Sequence, residues 1–308
     1  RAPEDGLPFP VFVKPVKGAF SQLARRVDSY PELLEFTRRP ATREFFDYYM
    51  GIFDRLVAGL TEFEHNGQFF IAEALLHGDQ TTVEGVVHEG RVEILGVVDS
   101  VLHPVTRSFV RFDYPSTLPP AIQERMGDLA RRFVEASGLT TSFFNIEMVH
   151  EREAGSIHVL EVNPRICGQF ADLYQKVDGT HSYELLLSLC TGGTPVRSRG
   201  AGTQAAAASF PLRVFEPGIV VAAPGDADVR AAEALFPETR VWSECAPGDA
   251  LADFDVDEDG GSHRYAVLNL GGADRDALSA RCEAVRERLG YRFAPRSGSG
   301  ASGGSPTG

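Results

Sequence analysis

Glu147 lies in F-F-N-I-E-M-V-H, from Phe143 to His150, and Glu161 lies in I-H-V-L-E-V-N-P-R, from Ile157 to Arg165. An acidic loop separates them, and both segments have the apolar alternation of hairpin strands. Side chains alternate along a strand, so Asn145, Glu147 and Val149 share a face. On the return strand the same rule groups Ile157, Val159, Glu161 and Asn163. A turn centred near Ala154 sets Glu147 opposite Glu161 and Asn145 opposite Asn163. Like charges directly opposed destabilise a sheet, so such a pair points to a cation between them. Two carboxylates with an amide oxygen alongside suit Mg2+ or Mn2+ bound together with substrate phosphates. The competing reading is a solvated hairpin with two unrelated surface glutamates.

Two other places could meet a ligand. Lys14 ends the apolar run L-P-F-P-V-F-V-K-P-V, and the loop K-G-A-F-S follows it. Such a loop can turn backbone N–H groups towards a phosphate, although it has one glycine; otherwise Lys14 is a solvated end charge. Glu73 is an acid inside F-F-I-A-E-A-L-L. It reads as an acceptor for a ligand N–H, or as an edge residue facing water.

The elements that must hold these residues follow from pattern. Ser29-Tyr30-Pro31-Glu32 reads as a helix start. Thr42 to Ala58 reads as an amphipathic helix whose stripe of Phe45, Phe46, Tyr49, Phe53, Leu56 and Val57 is core. Gln68 to Leu76 is a strand, and Thr81 to Val87 with Arg91 to Val98 form a hairpin turning at His88-Glu89-Gly90. Asp99 to Pro119, with three prolines, reads as a long ordered loop over a site. Ala121 to Ser137 is a helix closed by Gly138. Tyr183 to Cys190 is a short buried helix. Then come a strand from Ala205 to Val214, a helix from Val229 to Phe236, a strand from Tyr265 to Leu270 and a helix from Ala277 to Leu289. The Ser/Gly/Pro-rich tail, 294–308, reads as disordered.

At 308 residues and 43% apolar content, the chain is long enough for two domains. Its net charge of −13, with no run of Lys or Arg, argues against nucleic acid or an anionic membrane as partner. No apolar run approaches the length of a membrane span. Cys167, Cys190, Cys245 and Cys282 are widely spaced, which fits free thiols in a cytoplasmic protein. The chain lacks an initiator Met and opens almost directly on an apolar strand, so it reads as a fragment with part of the protein upstream. Homodimerisation is left open.

Together the three motifs resemble the ATP-grasp ligase superfamily, over about Leu7 to Gly193, and the stretch beyond resembles the C-terminal part of biotin carboxylase-like members. The resemblance implies an α+β fold in which two subdomains clasp ATP. It divides the chain into a small subdomain (1–72), a large subdomain with the metal site (73–200) and a small C-terminal α/β region (201–293). Carried over, Glu147, Glu161 and Asn163 are ligands of Mg2+ or Mn2+, and Arg165 stabilises the transferring phosphoryl group. Lys14 holds the ATP phosphates with the loop residues Lys17, Gly18 and Ser21. Glu73 accepts from the adenine amine, with the backbone of Ala74 and Leu76 on the ring edge, and the ribose falls to Gln80 or Asp79. Arg213 corresponds to an arginine near the substrate anion, with Arg264 a weaker candidate. The loop has fewer glycines than the family pattern, and the family's further upstream lysine and N-terminal domain are expected to lie upstream of these residues. The implied reaction activates a carboxylate as an acyl phosphate, with release of ADP, and couples it to an amine. The alternatives are a bicarbonate-using, biotin carboxylase-like enzyme and a non-catalytic ATP-binding regulatory module.

Overall fold

The structure, a computed structural model, describes residues 6–18, 22–62, 66–216, 218–251 and 262–295. Strand β1 (Val11–Pro15) pairs antiparallel with β2 (Arg25–Val27). Helix α1 (Tyr30–Arg38) starts where the sequence indicates: the Ser29 hydroxyl accepts from the Glu32 N–H and Pro31 occupies the first turn. The expected helix from Thr42 to Ala58 is broken in character. It comprises α2 (Pro40–Glu44), a π-helical stretch (Phe45–Met50) and α3 (Gly51–Leu60). Its aromatic stripe is not a simple core. Phe46 and Met50 are buried, but Leu56 is exposed, and Phe45, Tyr49 and Phe53 stack largely on one another. Strand β3 (Phe70–Ala74) completes a three-stranded sheet in the order β2-β1-β3. Val11, Val13, Val27 and Phe36 form the core of this small lobe.

The hairpin of β4 (Asp79–His88) and β5 (Arg91–Leu102) turns through Glu89 and Gly90, both at positive φ. This is the geometry that a two-residue hairpin loop demands. The expected loop over 99–119 is a correction. Strand β5 runs on to Leu102, and F-V-R-F-D-Y forms β6 (Phe109–Tyr114) paired to it. The prolines that suggested a loop stand outside both strands, so they punctuate the pairing without preventing it. Helix α4 (Pro120–Ser137) ends at Gly138, whose φ of 71° is the left-handed conformation. Next come β7 (Ser142–Glu151), β8 (Ser156–Asn163), α5 (Ala171–Asp178) and α6 (Ser182–Cys190).

Strand β9 (Ala206–Val214) is followed by β10 (Gly218–Ala222), α7 (Asp226–Leu235), β11 (Thr239–Ser243), β12 (His263–Gly272), α8 (Arg275–Leu289) and β13 (Arg292–Pro295). Ala294 and Pro295, placed by sequence in the tail, pair with β10; residues 296–308 lie outside the described residues. One eight-stranded sheet runs β11-β12-β9-β6-β5-β4-β7-β8, so strands from 201–293 continue the sheet that carries the hairpin. Met126, Ala130 and Val134 of α4 cover one face, against Val83, Val87, Val97, Phe144, Ile146 and Met148. Leu173, Tyr174 and Leu185 of α5 and α6 cover part of the other face, against Val86, Val98, Tyr114 and Phe143. The remainder of that second face carries the carboxylates.

Candidate functional site

The strands β7 and β8 pair in the register set by the alternation rule: Glu147 faces Glu161 and Asn145 faces Asn163. The register then shifts, because Met148 pairs with Val159 and leaves Leu160 as an extra residue. This bulge corrects the expected grouping of β8. Ile157 packs with Val162 against the α4 core, although the two are an odd number of residues apart. Only an inserted residue reconciles that with a period of two. Strand β4 extends both rows, with Thr82 opposite Glu147 and Glu84 opposite Asn145. Six polar side chains therefore share one face across three strands: Thr82, Glu147 and Glu161 in one row, Glu84, Asn145 and Asn163 in the next.

Burial holds the Glu147 carboxyl above the usual carboxylate range, and the negative charge of Glu161 raises it further. The Gln80 amide, which donates to Glu147 Oε2 at 3.3 Å, works against that shift, as do the positive charges of Arg165 and Lys14. A divalent cation between the two carboxylates would favour their ionised forms, and the all-oxygen donor set fits Mg2+ or Mn2+. Among the described residues no group of three or more His, Cys, Asp or Glu is arranged to hold a metal; the set here is two carboxylates and an amide.

Lys14 reaches this cluster from the small lobe. Strands β1 and β3 place Lys14 and Glu73 on one face, and the Lys14 ammonium lies 2.7 Å from Glu73 Oε2. It also donates to the carbonyl of Leu160 at 3.2 Å, the residue that the bulge inserts. The bulge thus turns a β8 carbonyl towards the other lobe. Ala74 ends β3 opposite Val11, and Leu76 follows in the half-buried connection to β4. Lys17 lies over the Phe53 ring, 5.4 Å from its centroid. Gly18 ends the described part of the loop, and Ser21 lies outside the described residues. The two ribose candidates part company: Gln80 is bonded to Glu147, whereas Asp79 accepts both Arg152 bonds, at 2.5 and 2.6 Å.

Arg165 follows β8 in a three-residue turn about Pro164, its N–H donating to the Asn163 carbonyl at 2.8 Å. Its guanidinium is exposed and, among the described residues, bonds only the neighbouring Ile166 carbonyl, at 3.3 Å. Two residues on, the Cys167 N–H donates to Glu84 Oε1 at 2.8 Å. Arg213 is not brought to this cluster. It lies on β9, five strand-to-strand steps from β8, or about 24 Å along the sheet. There it donates to the Phe109 carbonyl at 3.0 Å and to the Ser262 hydroxyl at 2.8 Å. Arg264 forms a two-point pair with Glu244. His103 and His181 accept from nearby backbone N–H groups, of Thr106 and Tyr183, as turn and cap residues do.

Glu84 is the residue that sequence reasoning missed. It is wholly buried, and burial pushes its carboxyl up to about 8, against the opposing effects of the Cys167 N–H and Arg165. The available signal was an acid in T-T-V-E-G-V-V in phase with Gln80, on a strand that pairs with Glu147's.

No protein-family profile matches the sequence, and a comparison with curated proteins gave no match. Solved structures do match. An L-amino acid ligase from Bacillus licheniformis superposes with a TM-score of 0.66 at 16% identity, covering 95% of this chain and 65% of that one. The biotin carboxylase domain of the Hydrogenobacter thermophilus 2-oxoglutarate carboxylase, solved with MgADP and bicarbonate, gives 0.61 at 15%, covering 93% and 58%. Phosphoribosylglycinamide synthetase from Anaerococcus prevotii gives 0.58 at 14%, covering 94% and 65%. The chain thus has the ATP-grasp ligase fold and spans less than two thirds of the length of these neighbours.

Proposed function

We propose that this chain carries the ATP site of an ADP-forming ligase that activates a carboxylate as an acyl phosphate and couples it to an amine. The observation that carries the reading is the facing of Glu147 and Glu161, with Asn163 in the next row, beneath a lysine that reaches over from the small lobe. Glu147, Glu161 and Asn163 would hold Mg2+ or Mn2+, which would supply charge neutralisation for the phosphates. Gln80 orients the Glu147 carboxylate. Lys14 leaves Glu73 and Leu160 for the ATP phosphates, and Lys17, Gly18 and Ser21 bring the loop over them. Glu73 and the backbone of Ala74 and Leu76 then receive the adenine. Arg165, exposed and bound only to its neighbour's carbonyl, is free to meet the spread charge of the transferring phosphoryl group, for which a planar guanidinium is suited. Positioning and charge neutralisation carry such transfers, so few covalent roles fall to the protein. Arg213, on β9 of the same sheet, anchors an anionic substrate group away from the phosphoryl centre in this reading.

Small-molecule carboxylates and amines are the partners in this reading, and a cytoplasmic location agrees with four unpaired cysteines. No described helix is long and apolar enough to cross a membrane. The test is release of ADP and phosphate from Mg-ATP by the full-length protein, against panels of carboxylates and amines with a bicarbonate arm. Release that needs both a carboxylate and an amine supports the ligase. Release that needs bicarbonate favours the carboxylase, and ATP binding without release under any condition favours the regulatory module.

A further inference from the structure

Glu84 is completely buried in the sheet, in the row next to Glu147 and Glu161. Its surroundings are specific. Across β5 it faces Gly96, where an added Cβ would come within 2.5 Å of the Tyr114 ring and 3.0 Å of the Tyr174 ring. The missing side chain at position 96 is what lets α5 lower Tyr174 beside Glu84. Across β7 it faces Asn145, which in turn faces Asn163. Oε1 is used: it accepts from the Cys167 N–H at 2.8 Å, three residues beyond Pro164. Oε2 is not used, and neither are the Asn145 amide nitrogen nor the Tyr174 hydroxyl.

A buried acid with half of its hydrogen-bonding capacity spent on one loop amide is costly unless that loop matters. We propose that Glu84 is a positioning residue for Arg165: by clamping the Cys167 N–H, it fixes the 163–167 turn that presents the guanidinium. This rests on the phosphoryl-transfer reading of Arg165. The carboxyl retains its proton at neutral pH, since burial lifts it to about 8, and so it costs less than a buried charge would. A protonated Oε2 can donate to the Tyr174 hydroxyl. An ionised one can accept from the Asn145 amide nitrogen, which is directly opposed across the strands and so within reach of a side-chain rotation. In either state Oε1 remains on the loop.

The experiment compares Glu84→Gln and Glu84→Leu in the full chain, by backbone hydrogen exchange over 164–170 and by steady-state kinetics with Mg-ATP. Glutamine keeps an oxygen for the Cys167 N–H; leucine does not. The expected result is faster exchange over 164–170 in Glu84→Leu only. In the same variant turnover falls about 10- to 100-fold, since small misplacements of a catalytic group can cost that much, while KM for ATP stays within two-fold. Glu84→Gln keeps both readouts near the parent. Should Glu84→Leu not fold, Glu84→Met keeps nearly the length of the parent side chain while offering only a weak acceptor, and is expected to lose turnover likewise. Unchanged exchange and turnover in the clamp-free variants overturn the proposal, as does Glu84→Gln falling as far as Glu84→Leu. Faster exchange in a protein whose parent form has no ligase activity leaves the clamp standing and removes the ligase reading.

Discussion

Replacing Glu84 with glutamine takes one titratable proton out of the interior and leaves its shape nearly unchanged, which makes the consequence calculable. Below pH 4.5 the folded and unfolded chains both carry this proton. Between the ordinary value of 4.5 and about 8 the unfolded chain releases it and the folded chain retains it. The unfolded state then binds fewer protons, so stability falls as pH rises, by about 1.4 kcal/mol per pH unit. Above about 8 both states are ionised and the slope vanishes. Across the window the loss reaches a ceiling of about 5 kcal/mol, the product of that slope and the interval. Glu147 is also held above its usual range by burial, so the parent curve contains more than one contribution. The difference between parent and variant isolates Glu84. Urea unfolding from pH 5 to pH 9 should show Glu84→Gln gaining roughly 2 to 4 kcal/mol on the parent between pH 5 and 8. Parallel curves across that window would refute the reasoning, because they would mean that the native carboxyl ionises as easily as the unfolded one.

Arg165→Ala should lower turnover by about 10² to 10³ through loss of a preorganised transition-state donor. Its unfolding midpoint should match the parent's, because the exposed guanidinium bonds only the Ile166 carbonyl; a large loss of stability with normal turnover would count against its role. Gly96→Ala should cost about 1 to 3 kcal/mol by urea unfolding, since its methyl group would press on the Tyr114 and Tyr174 rings. A neutral substitution there would mean that the rings move aside freely.

The hairpin register was legible because an even spacing fixes facing, whatever the rest of the fold. Its bulge was not: Leu160 is apolar, and an apolar residue in an alternating strand gives no sign of belonging to neither face. The helix from Thr42 to Ala58 had the right period, but a periodic aromatic stripe does not say whether it packs on a core or on itself. Residues 99–119 misled because prolines mark turns more loudly than F-V-R-F-D-Y marks a strand. Helix α5 went unread after the N-P-R segment, although Leu173, Tyr174 and Val177 recur at helical spacing. Lys14 and Glu73 were visible singly. Their pairing was not, since it requires β1 and β3 to be neighbours, which is a matter of topology rather than local pattern. Glu84 went unnoticed for a similar reason. Only the strand order β5-β4-β7 reveals that an acid within an apolar run lies behind Arg165.

The central claim is that the facing glutamates bind the metal of a nucleotide, and stabilisation by that nucleotide tests it most directly. The full chain would be unfolded with ADP alone, with ADP and Mg2+, and with Mg2+ alone, in parent, Glu147→Gln and Glu161→Gln forms. The account predicts that ADP with Mg2+ stabilises the parent, by about 2.7 kcal/mol at a hundredfold excess over Kd, and that either glutamine removes most of this gain. Equal stabilisation of all three forms, or a gain in the parent that does not depend on Mg2+, would contradict it.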